Sequence, residues 1–207
     1  LTALSQKDLK FVIGYSSVSH MGFILLGLAA ATHWGLRGAV LQMISHGIIA
    51  GLLFGIAGRV VYERTHTRDL NALKAFDLWR TLPGAAVAFT LATAASMGLP
   101  GFSGFVAEIS VAIGLWQSYP WLVPFAAAGV VVTGAFSLRA MHKAFFPVRN
   151  ASDAPPPEVP ALTWAEISAI GLLLAVSLAI GIYPKPWVVL IDEGLRSPLF
   201  QSFLSKP

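Results

Sequence analysis

Two consecutive stretches of this sequence, Phe11 to Leu36 and Gly38 to Gly58, contain no Asp, Glu, Lys or Arg. The hydrocarbon core of a bilayer is about 30 Å thick, and a helix of about 20 apolar residues crosses it. Apolar runs of this length are typical of transmembrane helices. They predict two antiparallel spans, at about 11–33 and 38–60, with Gly35 and Arg37 marking a tight turn between them.

The composition supports a membrane protein and excludes several classes of function. Hydrophobic residues make up 56% of the chain and charged residues only 12%, against about 25% charged in soluble domains. The absence of cysteine excludes disulfides, thiolate metal sites and iron–sulfur ligation, so we expect no redox centre and no metal site in this chain. Its basic residues fall in short groups between apolar runs rather than in one stripe, which disfavours nucleic-acid binding.

A third apolar region carries a helix-breaking motif. Residues 81–138 contain one charged residue, Glu108, and divide near Tyr119-Pro120. A helix interior loses about 1 kcal/mol for each Gly and about 3 kcal/mol for Pro relative to Ala, so the sequence SMGLPGFSG should interrupt the helix. The residues responsible are Gly98, Pro100, Gly101 and Gly104. Each half alone is short for a bilayer, which favours one discontinuous span over 82–117, broken near 98–104, with the break covered by protein or facing water.

The rest of the chain predicts two more spans and an amphipathic tail. The spans are expected at 121–146 and 163–183, the second opened by a capping box of Thr163 and Glu166. A proline-rich linker precedes it, and an interfacial helix is predicted over 187–204, interrupted near Pro198.

Together these segments predict an all-α fold. Residues 1–207 would form one polytopic transmembrane helix bundle of about five spans, including the discontinuous helix, and a C-terminal interfacial helix. By the positive-inside rule residue 1 lies on the cytoplasmic side, and the membrane is expected to be the bacterial inner membrane.

Three ionisable residues are predicted to lie deep in the spans: Glu108, His20 and His46. Such residues are costly in a membrane, by roughly 2.5–3.5 kcal/mol on insertion scales, and usually mark a pathway or a partner. Glu108 follows the break by about two helical turns and is the strongest candidate for a site that loads and releases a proton. The two histidines suit proton relay, and we expect both rings to face the bundle interior on the side that Glu108 approaches.

Each of these residues also has a structural interpretation. Glu108 would then be hydrogen-bonded to a neighbouring helix, and each histidine to its own backbone or to a nearby hydroxyl group, such as Ser16 or Ser17 beside His20. Lys10, at the first membrane boundary, would be an interfacial side chain that reaches towards the headgroups.

Four sequence blocks resemble a known family. They are DLKFVIGYSSVSHMGF at 8–23, GAVLQMISHG at 38–47, YERTHTRDL at 62–70 and GLPGFSGFVAE at 98–108. In this order and spacing they resemble the C-terminal part of the subunit M family of NADH-quinone oxidoreductase, which contains antiporter-like, proton-translocating membrane subunits of respiratory complex I.

The resemblance implies a subunit of fourteen helices with two inverted repeats and a polar axis across the membrane, of which this chain would supply the last five helices. Glu108 matches the acidic residue on the second broken helix, where the sister subunits L and N carry lysine. His20 and His46 match the family's histidines near that axis, and Lys10 matches the lysine of its DLK motif. The usual DLKR reads DLKF here, which weakens the match at Lys10.

The family's first broken helix, with its buried lysine, would lie upstream of residue 1. The chain is therefore expected to be a fragment that carries the exit half of one proton path and does not pump alone. No cofactor is expected in it, because NADH, flavin, iron–sulfur clusters and quinone would bind in or between other subunits. Its expected partners are the other membrane subunits and the lipid bilayer.

Two other functions share this pattern. One is a subunit of a multi-subunit sodium/proton antiporter or of a hydrogenase- or formate-linked membrane complex. The other is a structural membrane subunit without transport, in which Glu108, His20 and His46 only satisfy one another.

Overall fold

The computed structural model describes residues 2–148, 155–197 and 200. Within these residues the chain consists of helices and the turns that join them. We number the main helices α1 (Leu9–Ala29), α2 (His33–Thr65), α3 (Pro83–Ser96), α4 (Ser103–Ser118), α5 (Val123–Phe145), α6 (Trp164–Ile182) and α7 (Lys185–Leu195). Short helical turns lie at Thr2–Ser5, Ala72–Phe76, Leu78–Thr81 and Pro120–Leu122.

Four of the described helices are long and apolar enough to cross a membrane: α1, α2, the segment Pro120–Phe145 that contains α5, and α6. The apolar helix α3 is shorter. The predicted all-α membrane bundle is confirmed, and the chain is an integral membrane protein with several helical spans.

The turn between α1 and α2 differs from the predicted position. It lies at residues 30–32, where Ala31 adopts a positive φ of 49° and the Thr32 hydroxyl accepts a hydrogen bond from the Gly35 amide at 3.0 Å. This is an N-cap contact, so α2 begins before Gly35 and Arg37 rather than after them. Gly35 serves close packing instead, because a Cβ atom there would lie 2.6 Å from the carbonyl oxygen of Gly27.

Helix α2 also extends beyond its predicted end at residue 60. It is α-helical over His33–Phe54, π-helical over Gly55–Tyr62 and α-helical again over Glu63–Thr65. Arg59 and Arg64 are therefore both on the helix.

The predicted broken span consists of α3 and α4, with residues 97–102 between them. Both halves pack against the same helix, α2. Gly38 in the first half of α2 meets Val111 of α4, whereas Leu53 in its second half lies with Phe89 of α3. Helices α3 and α4 therefore follow one another along α2 as two parts of one discontinuous element, and they do not form a hairpin.

The break itself depends on two glycines with positive φ, Gly98 at 69° and Gly101 at 101°. Other residues rarely adopt this conformation. Helix α6 covers one side of the break, where Gly181 packs against the backbone of Gly101. Pro100 lies on the surface of the chain, so the described residues do not enclose it, and the prediction of a covered break requires water or protein from elsewhere.

The C-terminal region contains the predicted capping box, in which Thr163 and Glu166 bond reciprocally; this prediction is confirmed. The interfacial segment predicted over 187–204 corresponds to α7, which starts at Lys185 and ends at Leu195. Ile191 and Leu195 of α7 pack against Leu36 and Leu41 of α2. The predicted interruption at Pro198 lies outside the described residues, as do residues 201–204.

Candidate functional site

The two histidines predicted to lie in the spans meet at the centre of the bundle. Their ring centroids are 5.2 Å apart with planes inclined at 39°. His20 is buried, with 6% of its surface exposed, and His46 is half-buried. They line a cavity of about 10 Å³ together with Gln42, Ser45 and Gly104, which we call the histidine cavity.

Both ring nitrogens of His20 have neutral partners. The Gln42 amide nitrogen lies 3.1 Å from Nδ1, and the Ser96 hydroxyl lies 3.1 Å from Nε2. The nearer serines, Ser16 and Ser17, instead donate to the backbone carbonyl of Ile13. His20 therefore bonds to a hydroxyl group from another helix and not to Ser16 or Ser17, because short serine side chains bond readily to their own helix.

A chain of three buried serines extends from the histidine cavity. Ser45 of α2 bonds to Ser103 at the start of α4 at 2.7 Å, and Ser103 bonds to Ser177 of α6 at 3.0 Å. Each hydroxyl group can donate and accept. The chain joins three helices next to the break.

Glu108 lies one helical turn beyond Gly104, which lines the histidine cavity. Its carboxylate opens into a second cavity of about 280 Å³ between α1, α4 and α5, which we call the glutamate groove. The groove is apolar, with lining residues that include Phe23, Phe105, Ile109, Ala126 and Val130. Among the described residues, no group bonds or ion-pairs with the Glu108 carboxylate.

The glycine at the break makes room for this carboxylate. A Cβ atom at Gly98 would collide with Oε2 of Glu108. Gly98 therefore has two roles: it allows a positive φ, and it lets the Glu108 carboxyl group lie against the backbone.

The structure separates Lys10 from this cluster. Lys10 is exposed in the first turn of α1, ten residues before His20 and therefore about 15 Å away along the helix axis. Its backbone amide donates to Asp8, which forms an ion pair with Arg68.

Two residues that sequence reasoning did not select contribute to the site. Ser96 ends α3 and reaches His20 from across the bundle, and Ser103 starts α4. Their positions on either side of a Gly- and Pro-rich break were a usable signal. Their partners depend on how α2 and α6 are rotated, which the sequence alone does not show. Within the described residues, no group of three or more His, Cys, Asp or Glu side chains could hold a metal ion.

Comparison with known proteins identifies a family that this chain matches. The family described as NADH:quinone oxidoreductase/Mrp antiporter, transmembrane, matches residues 1–136. NADH-quinone oxidoreductase subunit M of Rhodobacter capsulatus is 38% identical over 191 residues, which cover 89% of this chain and 35% of that protein. NAD(P)H-quinone oxidoreductase chain 4 2 of Synechococcus sp. (strain JA-3-3Ab) is 39% identical over 204 residues, covering 95% of this chain and 38% of that protein.

A solved structure agrees with the sequence comparison. A chain of respiratory complex I from Thermus thermophilus with bound NADH has a TM-score of 0.85 and 29% identity, covering 99% of this chain and 42% of that one. The present chain thus spans about two fifths of the length of its relatives.

Proposed function

Because this chain belongs to the family of transmembrane proteins described as NADH:quinone oxidoreductase/Mrp antiporter, we propose that it carries part of a proton path in a membrane subunit of an NADH-quinone oxidoreductase. The part is the exit half of the path, as the resemblance in sequence implies. Proton translocation across the whole membrane would also require the additional segments present in its longer relatives.

One observation supports this proposal most strongly: Glu108 is an unpaired carboxylate at a helix break. A membrane-embedded acid without a structural partner among the described residues is hard to explain as a structural residue. The neighbouring histidine cavity supplies two imidazoles, Gln42 and a serine chain, all able to exchange hydrogen bonds. Protons would pass between this cluster and Glu108. Lys10 is not adjacent to the cluster, so it could take part in the path only through intervening groups.

We further propose an orientation and a set of partners. Most described Lys and Arg residues lie at the end of the bundle where α1 begins and α2 ends, namely Lys7, Lys10, Arg59, Arg64, Arg68, Lys74, Arg80, Arg139 and Lys143. By the positive-inside rule this end faces the cytoplasm of a bacterial inner membrane. The other membrane subunits of the complex would be its partners, whereas NADH, flavin, iron–sulfur clusters and quinone would bind in or between other subunits of the complex.

Replacement of Glu108 tests the function. Glu108→Gln in the assembled complex keeps a similar volume and removes the titratable group, so proton uptake per NADH oxidised should fall sharply in vesicles with equal amounts of complex. Glu108→Asp should retain part of the activity because a carboxyl group remains. Glu193→Gln, an exposed carboxylate on α7, is the matched control and should pump normally.

The outcomes separate the competing functions. Wild-type pumping by Glu108→Gln would make Glu108 a structural residue and contradict the proposal. Proton movement that depends on a sodium gradient and not on NADH would instead identify a sodium/proton antiporter.

A further inference from the structure

The side chain of Gln42 is buried in the bundle, with 2% of its surface exposed, yet only part of its amide is satisfied. Its nitrogen faces Nδ1 of His20. Its oxygen Oε1 has no partner in the part of the chain that the structure describes. Buried polar atoms without partners are rare in proteins and call for an explanation.

The amide orientation determines which tautomer His20 can adopt. An amide N–H donates to Nδ1, so Nδ1 must be the acceptor, and the ring proton is on Nε2, facing Ser96 at 3.1 Å. This ring is neutral. A protonated His20 would also carry hydrogen on Nδ1, and that hydrogen would face the amide hydrogen of Gln42.

We propose that Gln42 is a positioning residue for proton transfer at His20, and that its amide turns over when His20 takes up a proton. Rotation by about 180° about the last side-chain bond exchanges Nε2 and Oε1 with little change in shape. In the turned state Oε1 accepts the hydrogen bond from Nδ1–H. The amide therefore favours the neutral Nε2–H ring in one orientation and the doubly protonated ring in the other.

The histidine cavity can provide a hydrogen-bond partner for the Gln42 amide in both orientations. It adjoins Gln42 and has a volume of about 10 Å³, which is close to the space that one water molecule requires. A water molecule there can donate to Oε1 in the first orientation and accept from Nε2 in the second. The oxygen without a partner thus belongs to an amide group that can adopt two orientations.

The electrostatic surroundings of His20 are simple. His46 of α2 is its titratable neighbour, and Glu108 of α4 opens into the groove that also contains Phe23, one turn beyond His20. From α5 the neutral Thr133 bonds to Ser19, the residue before His20, and the neutral Ser137 lines a cavity with Ser96. No ion pair adjoins His20 among the described residues, so a change in the hydrogen bond at Nδ1 acts on this ring without that competition.

Nitrogen NMR tests the inference directly. The complex, with ¹⁵N-labelled histidine in this chain, would be measured in membranes across a pH series, with the His20 signals assigned by their loss in His20→Phe. At alkaline pH the wild type should show hydrogen on Nε2 and an unprotonated, hydrogen-bonded Nδ1. Gln42→Met has similar length but no polar atom, so the Nδ1 signal should move to the position of a ring nitrogen without a donor. Gln117→Met, on the exposed end of α4, should change nothing.

A carboxylate in place of the amide gives the opposite signature. At pH values where its carboxyl group is ionised, Gln42→Glu offers only acceptors, so Nδ1 should carry hydrogen at higher pH than in the wild type. Hydrogen on Nδ1 in the wild type at alkaline pH would overturn the proposal. Unchanged nitrogen signals in Gln42→Met would overturn it as well.

The inference rests on the proposed function for its role in transport, and the two can fail separately. If Gln42 positions the proton, Gln42→Met should lower the rate of NADH-driven proton uptake by roughly two- to tenfold, the effect of about one hydrogen bond. Normal pumping by Glu108→Gln would refute the proposed function and leave the nitrogen signals as they are. Normal pumping by Gln42→Met together with a loss in Glu108→Gln would refute the role of Gln42 alone.

Discussion

Arg64, at the end of α2, should be among the residues whose replacement most destabilises this chain. Its guanidinium donates through Nε to the Pro160 carbonyl at 2.8 Å, through Nη1 to Val60 at 3.1 Å and through Nη2 to Ala161 at 2.9 Å. It also forms a two-pronged pair with Glu166 at 3.0 and 2.8 Å. All five N–H groups of an arginine are thus used. Both side chains of the pair are more than nine-tenths buried.

The magnitude follows from what each replacement leaves unpaired. Arg64→Leu leaves the buried Glu166 carboxylate with only the longer contact to Arg59, at 3.8 Å, and frees three carbonyl groups, which should lower the free energy of unfolding by about 3 kcal/mol. Arg64→Lys keeps the charge but has three N–H groups in place of a planar fork, so at least two hydrogen bonds are lost, at about 1–1.5 kcal/mol each. The double replacement Arg64→Leu with Glu166→Leu should cost less than Arg64→Leu alone, because no buried charge remains.

The assay is unfolding in mixed micelles, followed by circular dichroism as the share of denaturing detergent increases. Arg59→Lys is the matched control: Arg59 lies on the same helix end and approaches Glu166 at 3.8 Å, but its side chain is 66% exposed. Lysine keeps the charge there, so the replacement should change stability by less than about 0.5 kcal/mol. Equal losses for Arg64→Lys and Arg59→Lys would refute the argument from burial and fork geometry.

Two further changes have distinct expected outcomes. Gly98→Ala and Gly101→Ala both force alanine into a positive φ and should each cost about 1–2 kcal/mol, but only the Cβ at Gly98 displaces a carboxylate, so pumping measured at equal assembly should fall in that variant alone. Asp192→Asn weakens the pair with Arg37 at 2.6 Å, which is partly exposed, so we expect a loss of about 1 kcal/mol and faster hydrogen exchange in α7 than in Glu193→Gln.

The membrane helices could be predicted from the sequence because a bilayer requires long segments of apolar residues. A long run without charge has few alternatives to a membrane helix, and a capping box is a local pattern that needs only Thr163 and Glu166. Glycine was harder to interpret. Gly35 could mark a turn or a close contact, and the choice depends on a neighbouring helix that lies far away in sequence.

The site was predictable only in part for a related reason. Ionisable residues in apolar runs are conspicuous, so His20, His46 and Glu108 could be selected. Their partners depend on helix rotation and tilt: His20 could bond to Ser16 on its own helix, yet it bonds to Ser96 from α3. The π-helical turns at Gly55–Tyr62 have no clear sequence signal beyond nearby glycines. They shift the register of α2, and with it the position of Arg64.

The strengths of the contacts are distributed unevenly along the bundle, and this distribution suits the proposed proton path. Charged pairs hold both ends of α2, Arg37 with Asp192 at one end and Arg64 with Glu166 at the other. The contacts between them in the middle are neutral hydrogen bonds of histidine, glutamine and serine. Neutral bonds contribute about 1 kcal/mol each, against roughly 1.5–3 kcal/mol for bonds to charged groups. Hydrogen bonds around the histidine cavity can therefore break and re-form, as the proposed proton path requires, while the charged ends keep the helices in register.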